Sequence, residues 1–243
     1  MKKIIYFIEF LLVEFLFVIF KIIGYKSASN LGFFIGKNFG NFFRKKKSII
    51  QNLRKSKITI NISDNQFVDN VLGNYGRILA EYPFLKDFRE NKLEQFIKIE
   101  GIENLDQIKN NKKPVVFISG HFNNFELMAM QIEKYGINLA AIYRPLNNVF
   151  LNKTMERIRT KYICRNQIRK GKSGTRQILE NLKKSNSIAL MIDQRVTEGI
   201  KIDFFGNLAS TTTIPAQIIK KYQCDLVPIY IERLEKYNFK MYV

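Results

Sequence analysis

Apolar positions along the chain follow two different rhythms. From Ile4 to Ile23 almost every residue is aliphatic or aromatic, IIYFIEFLLVEFLFVIFKII. About 20 such residues, rising roughly 1.5 Å each in a helix, match the hydrocarbon thickness of a bilayer. Glu9 and Glu14 interrupt the run, and a carboxylate at mid-bilayer costs about 2.5–3.5 kcal/mol. Each is therefore expected to be protonated, paired or turned toward a partner. The run is too long for a signal peptide, and no small-residue cleavage pattern follows it. The pattern predicts an N-terminal membrane helix over 1–25, with a helix lying in the plane of the membrane as the rival reading. Lys21, Lys26, Lys37 and the run Arg44-Lys45-Lys46-Lys47 follow it, which puts the rest of the chain on the cytoplasmic side.

The second rhythm begins after residue 60. Phe67, Val71, Leu72, Tyr75 and Leu79 recur at three- and four-residue spacing, the mark of one helical face, and Pro83 ends it. Short apolar runs then alternate with helical patterns. Strands are predicted over 115–119, 139–143, 187–192 and 226–231, and helices over 126–135, 148–162, 175–184 and 214–222. Pro215 lies in the first turn of the last helix, where proline fits. This alternation predicts an α/β domain over 26–243, with a mostly parallel central sheet flanked by helices. The final residues, Phe239 to Val243, read as a strand. Gly32, Gly36 and Gly40 recur every fourth residue among phenylalanines. On a helix they form a smooth strip, which admits either another helix or a lipid chain, or belongs to a connector whose aromatics pack on the body.

Composition narrows the possibilities. The chain has 243 residues, 46% hydrophobic and 25% charged, values typical of a protein with a core and not of a disordered chain. Two cysteines and one histidine exclude a disulfide scaffold and a Cys/His zinc cluster. Cys164 and Cys224 are expected to remain free thiols. The net charge of +19 calls for anionic company: acidic lipid, a phosphorylated substrate, an acidic protein or nucleic acid. The aromatics sit in apolar runs and do not interleave with Arg and Lys, and no nucleic-acid-binding motif occurs. Nucleic acid is therefore not expected as a partner.

The only histidine, His121, follows the strand predicted over 115–119 and precedes the helix predicted from residue 126. Ligands of open α/β sheets bind at the carboxyl ends of strands, and an imidazole there is placed to take a proton from a hydroxyl. With His121 in the turn and Glu126 in the first helical turn, the carboxylate is expected to reach back and fix the imidazole's tautomer. The competing reading is structural: Asn123-x-x-Glu126 also has the form of a capping box. Arg144 follows the 139–143 strand and suits an oxyanion or a phosphate, or is an ordinary surface charge. Arg169, Lys170 and Lys172, beside Gly171 and Gly174, form a basic cluster that suits a phosphate or is a solvated loop. Asp193 follows the 187–192 strand, either to hold Arg144 or Arg195 or as a turn cap.

These pieces occur in a recognisable order: His121-Phe-Asn-Asn-Phe-Glu126, Tyr143-Arg144-Pro145-Leu146-Asn147-Asn148, Asp193-Gln194 and Phe204-Phe205-Gly206. With the N-terminal anchor, the basic run and Asn52-Leu53, the set resembles the bacterial lipid A biosynthesis acyltransferases, the lauroyl and myristoyl transferases of the H-x4-D/E group. The resemblance implies transfer of a fatty acyl chain from an acyl carrier protein thioester to a hydroxyl of a lipid A precursor, without a cofactor or a metal. It implies His121 as base, Glu126 as its orienting partner, and Arg144, Asn124, Arg169, Asp193 and Gln194 as substrate-contacting residues. Phe204-Phe205-Gly206, with Ala209 and Thr211, would form an apolar wall for the acyl chain or pack in the core. The implied location is the bacterial inner membrane. A glycerophospholipid or glycolipid acceptor, an inactive scaffold of the same fold, and a membrane-tethered nucleic-acid-binding module are the rival expectations. Members of the family carry a closing stretch rich in Trp and Arg. The chain has no Trp, so this segment is expected to be missing.

Overall fold

A computed structural model describes residues 2–197 and 199–243. The chain begins with helices α1 (Lys2–Ile23), α2 (Tyr25–Phe39), α3 (Lys46–Ser56), α4 (Asp64–Glu81) and α5 (Leu85–Arg89). Strand β1 (Ile97–Glu100) and helix α6 (Ile102–Asn111) lead into β2 (Val116–Ser119), α7 (Glu126–Lys134) and β3 (Leu139–Tyr143). Then come α8 (Val149–Ile158), β4 (Asn166–Arg169), α9 (Lys172–Lys183) and β5 (Ser187–Met191). A hairpin of β6 (Ile200–Phe204) and β7 (Asn207–Thr211) precedes α10 (Ile214–Tyr222). The last strands are β8 (Leu226–Pro228), β9 (Tyr230–Arg233) and β10 (Phe239–Tyr242). Two compact units emerge: one from residues 1–13, 85–194 and 212–243, the other from 14–84 and 195–211.

The first unit is mixed α/β. Its central sheet has five parallel strands in the order β4-β3-β5-β2-β8. Val116, Ala140, Ile168, Ile188 and Leu190 of the strands close a core with Ile178 and Leu182 of α9 and Ile218 of α10. Neighbouring strand residues that alternate with these, Phe117 and Leu139, are buried as well, as a parallel sheet covered on both faces requires. The strand expected over 226–231 is divided. Leu226–Pro228 joins the parallel sheet beside β2, while Tyr230–Arg233 pairs antiparallel with β10 in a three-stranded sheet of order β1-β10-β9. The helix expected over 148–162 ends as α8 at Ile158 and continues as a π-helical turn, Arg159–Ile163.

The second unit is built on the pair α2 and α4, and their glycines explain why. A β-carbon on Gly32 would lie 2.5 Å from the Gly76 carbonyl oxygen, and one on Gly36 2.3 Å from that of Leu72. One on Gly76 would come within 1.9 Å of the Gly32 oxygen. The glycine strip therefore receives another helix, backbone against backbone. Such contact leaves little room for side chains to cover buried polar groups, and a compact network covers them. Arg77 donates to Ser29 at 2.9 Å and to Asn30 at 3.2 Å, and Ser29 donates to Glu81 at 2.9 Å. Ser63 caps α4 by accepting from the Gln66 amide.

The N-terminal run does form a helix, but it departs from the spanning expectation. No helix among the described residues is long and apolar enough to cross a membrane. The reason is charge: any stretch of bilayer length in α1 holds Glu9 and Glu14 together with Lys3 or Lys21. Glu9 accepts a hydrogen bond from the Asn148 amide at 2.9 Å, and the same amide donates to the Tyr6 carbonyl at 2.8 Å. This satisfies the carboxylate within the first unit.

The interlocked glycines set a measurable cost. Gly76→Ala is expected to destabilise the protein by about 3 kcal/mol or more, in the upper part of the overpacking range, seen as a lower urea midpoint. An unchanged midpoint would contradict the backbone contact.

Candidate active site

Parallel pairing places the central residues. Ser119 of β2 lies opposite Met191 of β5, and two residues beyond each strand end the chain reaches His121 and Asp193. The Ile192 amide donates to the Ser119 carbonyl at 2.9 Å, holding the two extensions together. Both side chains thus emerge at the carboxyl edge of adjacent strands, where α/β sheets present their ligand sites. Gly120 keeps them close: a β-carbon there would meet the Phe122 ring at 2.9 Å and the Asp193 β-carbon at 3.3 Å.

Asp193 grips His121 twice. One carboxylate oxygen, Oδ2, accepts from the His121 backbone amide at 2.8 Å, and the other, Oδ1, lies 2.7 Å from Nδ1 of the ring. A carboxylate only accepts, so in the neutral imidazole the proton belongs on Nδ1 and Nε2 presents the lone pair. The Gln194 amide nitrogen lies 3.4 Å from Nε2, a contact too long to commit that lone pair. The Phe125 ring meets the imidazole edge-on at 4.8 Å between centroids. About a third of each side chain of the pair, 31% for His121 and 39% for Asp193, is open to solvent. The imidazole is fixed in orientation and still accessible.

The carboxylate at the imidazole is thus Asp193, and the expected reach of Glu126 back to the ring is replaced by another arrangement. Oε1 of Glu126 accepts from Nε and Nη2 of Arg159 at 2.8 and 2.6 Å. The capping-box reading fails too. Helix α7 starts at Glu126 behind Phe125 without a side-chain cap, and Asn123 adopts a left-handed backbone (φ 44°) with its amide donating to the Ile231 carbonyl. The competing roles for Asp193, holding an arginine or capping a turn, give way to its grip on the histidine.

Arg159 was not singled out by sequence. It opens the π-helical turn after α8, and π-turns inside helices often mark functional positions. The Glu126–Arg159 pair is nearly buried, and removing one partner from such a pair strands the other charge. The guanidinium also lies 5.9 Å from the centre of the Tyr143 ring, and the Tyr143 hydroxyl donates to Glu156. Burial first, and this hydrogen bond second, push the Tyr143 phenol up to about 12. Glu156 is held below its ordinary value, chiefly by the same hydrogen bond.

The remaining candidates spread along the same sheet edge. Arg144 follows β3 and is exposed. Arg169 ends β4 opposite Tyr143 and is exposed. Gly174 admits close packing of α9 on this strand end, because a β-carbon there would lie 2.4 Å from the Arg169 carbonyl oxygen. Lys170 is exposed and ties its backbone amide to the Tyr143 carbonyl; the Lys172 side chain lies outside the described residues. Asn124 is buried in the loop between β2 and α7. Phe204 and Phe205 sit in the β6–β7 hairpin of the other unit and are exposed, so they are not core residues. Cys164 and Cys224 are free and buried, and burial pushes the Cys164 thiol up to about 11. Neither serves as an accessible nucleophile at neutral pH.

Comparison with known proteins completes the description. The family described as bacterial lipid A biosynthesis acyltransferase matches residues 1–243. No curated protein matches the chain.

The Tyr143 environment is open to direct measurement. Folding raises the affinity of this phenol for its proton, so its contribution to stability is complete below pH 10 and is lost as pH climbs through about 12. Ultraviolet titration of the folded protein is expected to show one phenolate forming near pH 12. Tyr143→Phe should remove that phase.

Proposed function

The chain belongs to the bacterial lipid A biosynthesis acyltransferase family, and we propose that it carries a fatty acyl group from an acyl carrier protein thioester to a hydroxyl of a lipid A precursor, with His121 as general base. The observation that carries this reading is the 2.7 Å contact between Asp193 Oδ1 and Nδ1 of His121. A carboxylate only accepts, so in the neutral ring the proton belongs on Nδ1 and Nε2 is left to receive another.

In this reading the acceptor hydroxyl gives its proton to Nε2 as its oxygen attacks the thioester carbonyl carbon. Asp193 stabilises the imidazolium so formed and keeps the ring in position. The tetrahedral intermediate collapses with cleavage of the carbon–sulfur bond, and the departing thiolate takes the proton back from Nε2. The thioester is already activated, so no acyl-enzyme is required. The oxyanion needs donors, and Arg144, exposed at the same sheet edge, has a guanidinium suited to it or to an acceptor phosphate. Gln194 lies beside the ring, Asn124 is buried in the loop that carries it, and Arg169 with Lys170 adds positive charge for a phosphorylated acceptor. Glu126 acts through Arg159, fixing the start of α7 and thus the loop that carries His121.

The reading also gives α1 a task. Ile4, Ile8, Leu11, Phe15, Val18 and Ile22 are exposed and recur at four- and three-residue spacing, so they form one stripe along the helix. Such a stripe suits a helix lying in the membrane interface, at the cytoplasmic face of the inner membrane where the acceptor lipid resides. The net charge of +19 favours encounter with both an acidic carrier protein and a phosphorylated lipid.

The test is an assay of the purified protein with acyl carrier protein thioesters and a tetra-acylated lipid A precursor. His121→Ala is expected to reduce transfer to background with an unchanged thermal midpoint. Asp193→Asn should lower kcat by roughly a hundred- to ten-thousand-fold through loss of tautomer control. Glu126→Gln should cost less activity and more stability, because it leaves Arg159 without its carboxylate. Near-normal turnover by the His121 variant sinks the mechanism. Lipid A that stays fully acylated after gene deletion, while phospholipids change, moves the activity to a glycerophospholipid acceptor.

A further inference from the structure

The helical unit holds a cavity of about 350 Å³, within the ~300–1,000 Å³ range of small-molecule sites. Its walls come from Leu16 and Phe20 of α1, Ile35 and Phe39 of α2, and Leu72 and Leu79 of α4. The close crossing of α2 and α4 creates the space, since Gly32, Gly36 and Gly76 also line it and fill none of it. Only two lining residues, Arg44 and Tyr75, carry polar side-chain groups, and they face each other. The Arg44 guanidinium donates to the Tyr75 hydroxyl at 2.6 Å and lies 5.2 Å from the centre of its ring.

The surroundings identify the occupant. A dry apolar wall has no groups to orient a polar metabolite. Tyr75 takes one of the five N–H groups of a guanidinium, and Arg44 keeps the others for an anion. From Lys37 to Lys57 every charged residue is basic, so a second copy of this surface would be repelled and an anionic headgroup attracted. Phe42 and Phe43, next to Arg44 in sequence, are 85% and 91% exposed, the level of exposure expected of side chains that enter a bilayer interface. We propose that this cavity takes one acyl chain of an anionic bilayer phospholipid, whose phosphate rests against Arg44 and the Lys45–Lys47 ammonium groups. The site is independent of the acyl-transfer reading and would hold whatever the acceptor of the His121 reaction.

The absence of tryptophan from the chain supplies the probe. F39W places a single indole in the cavity lining, to be titrated with vesicles of phosphatidylglycerol or phosphatidylcholine brominated on the acyl chain. Strong quenching by the phosphatidylglycerol vesicles, at much lower lipid concentration than by phosphatidylcholine, is expected. Adding Arg44→Gln should weaken the phosphatidylglycerol titration about fivefold, the effect of one arginine near an anionic surface. Leu79→Phe, which narrows the cavity, should weaken quenching in F39W while F42W, which reports surface insertion alone, remains quenched as before. Circular dichroism checks folding, and the Arg44 arm decides if the narrowed variant unfolds. Absent quenching, equal quenching by the two lipids, or indifference to Arg44→Gln overturns the proposal. A spectral shift that follows protein concentration without lipid assigns the cavity to a second copy and overturns it as well.

Discussion

Two parallel strands held in register bring the catalytic candidates together. Because Ser119 pairs with Met191, the second residue beyond each strand end arrives at the same place, and these residues are a histidine and an aspartate. The carboxylate then holds two groups of the same residue. It binds the backbone amide of His121 with one oxygen and the ring with the other, so that one group orients the imidazole and selects which ring nitrogen faces the carboxylate. A β-carbon on Gly120 would press on the tip of the Phe122 ring and approach the Asp193 β-carbon, so a glycine suits the close approach of the two chain segments.

Around this pair, charge is managed by pairing. Glu126 and Arg159 are both nearly buried and neutralise each other. Arg159 leans on Tyr143, and Tyr143 donates to Glu156. This chain of contacts links the first turn of α7 to the π-helical turn after α8, and so ties the loop carrying His121 to a second element. The same economy operates in the helical unit, where Arg77, Ser29 and Glu81 satisfy one another beneath a glycine-lined crossing.

Much of the fold was legible from apolar spacing. Helices and strands with strong periodicity, α4, α7, α10, β3 and β5 among them, appear within a few residues of their expected bounds. Elements with weak signals were not foreseen. β4 reads Asn-Gln-Ile-Arg and buries only Ile168, because an edge strand needs one apolar contact to be held. β6 is exposed along its length and has no buried face to leave a pattern. The division of 226–231 between two sheets is equally invisible, since both halves are apolar and only their neighbours differ.

For the site, the sequence by itself determined the location of the histidine: a single imidazole after an apolar strand and before a helix is bound to a sheet edge by chain connectivity. It also determined that Arg144 and Asp193 follow other strands of the same alternating series, whereas the strand that Arg169 ends left no such signal. Which carboxylate meets the imidazole was decided by tertiary structure alone. Glu126 is five residues from His121 and Asp193 is seventy-two, and local spacing favours the nearer group. Strand order and register reverse that preference, because β5 lies directly beside β2 while the start of α7 is held by an arginine from a distant helix. Sequence distance measures what the backbone permits; lateral pairing in a sheet fixes what the side chains touch.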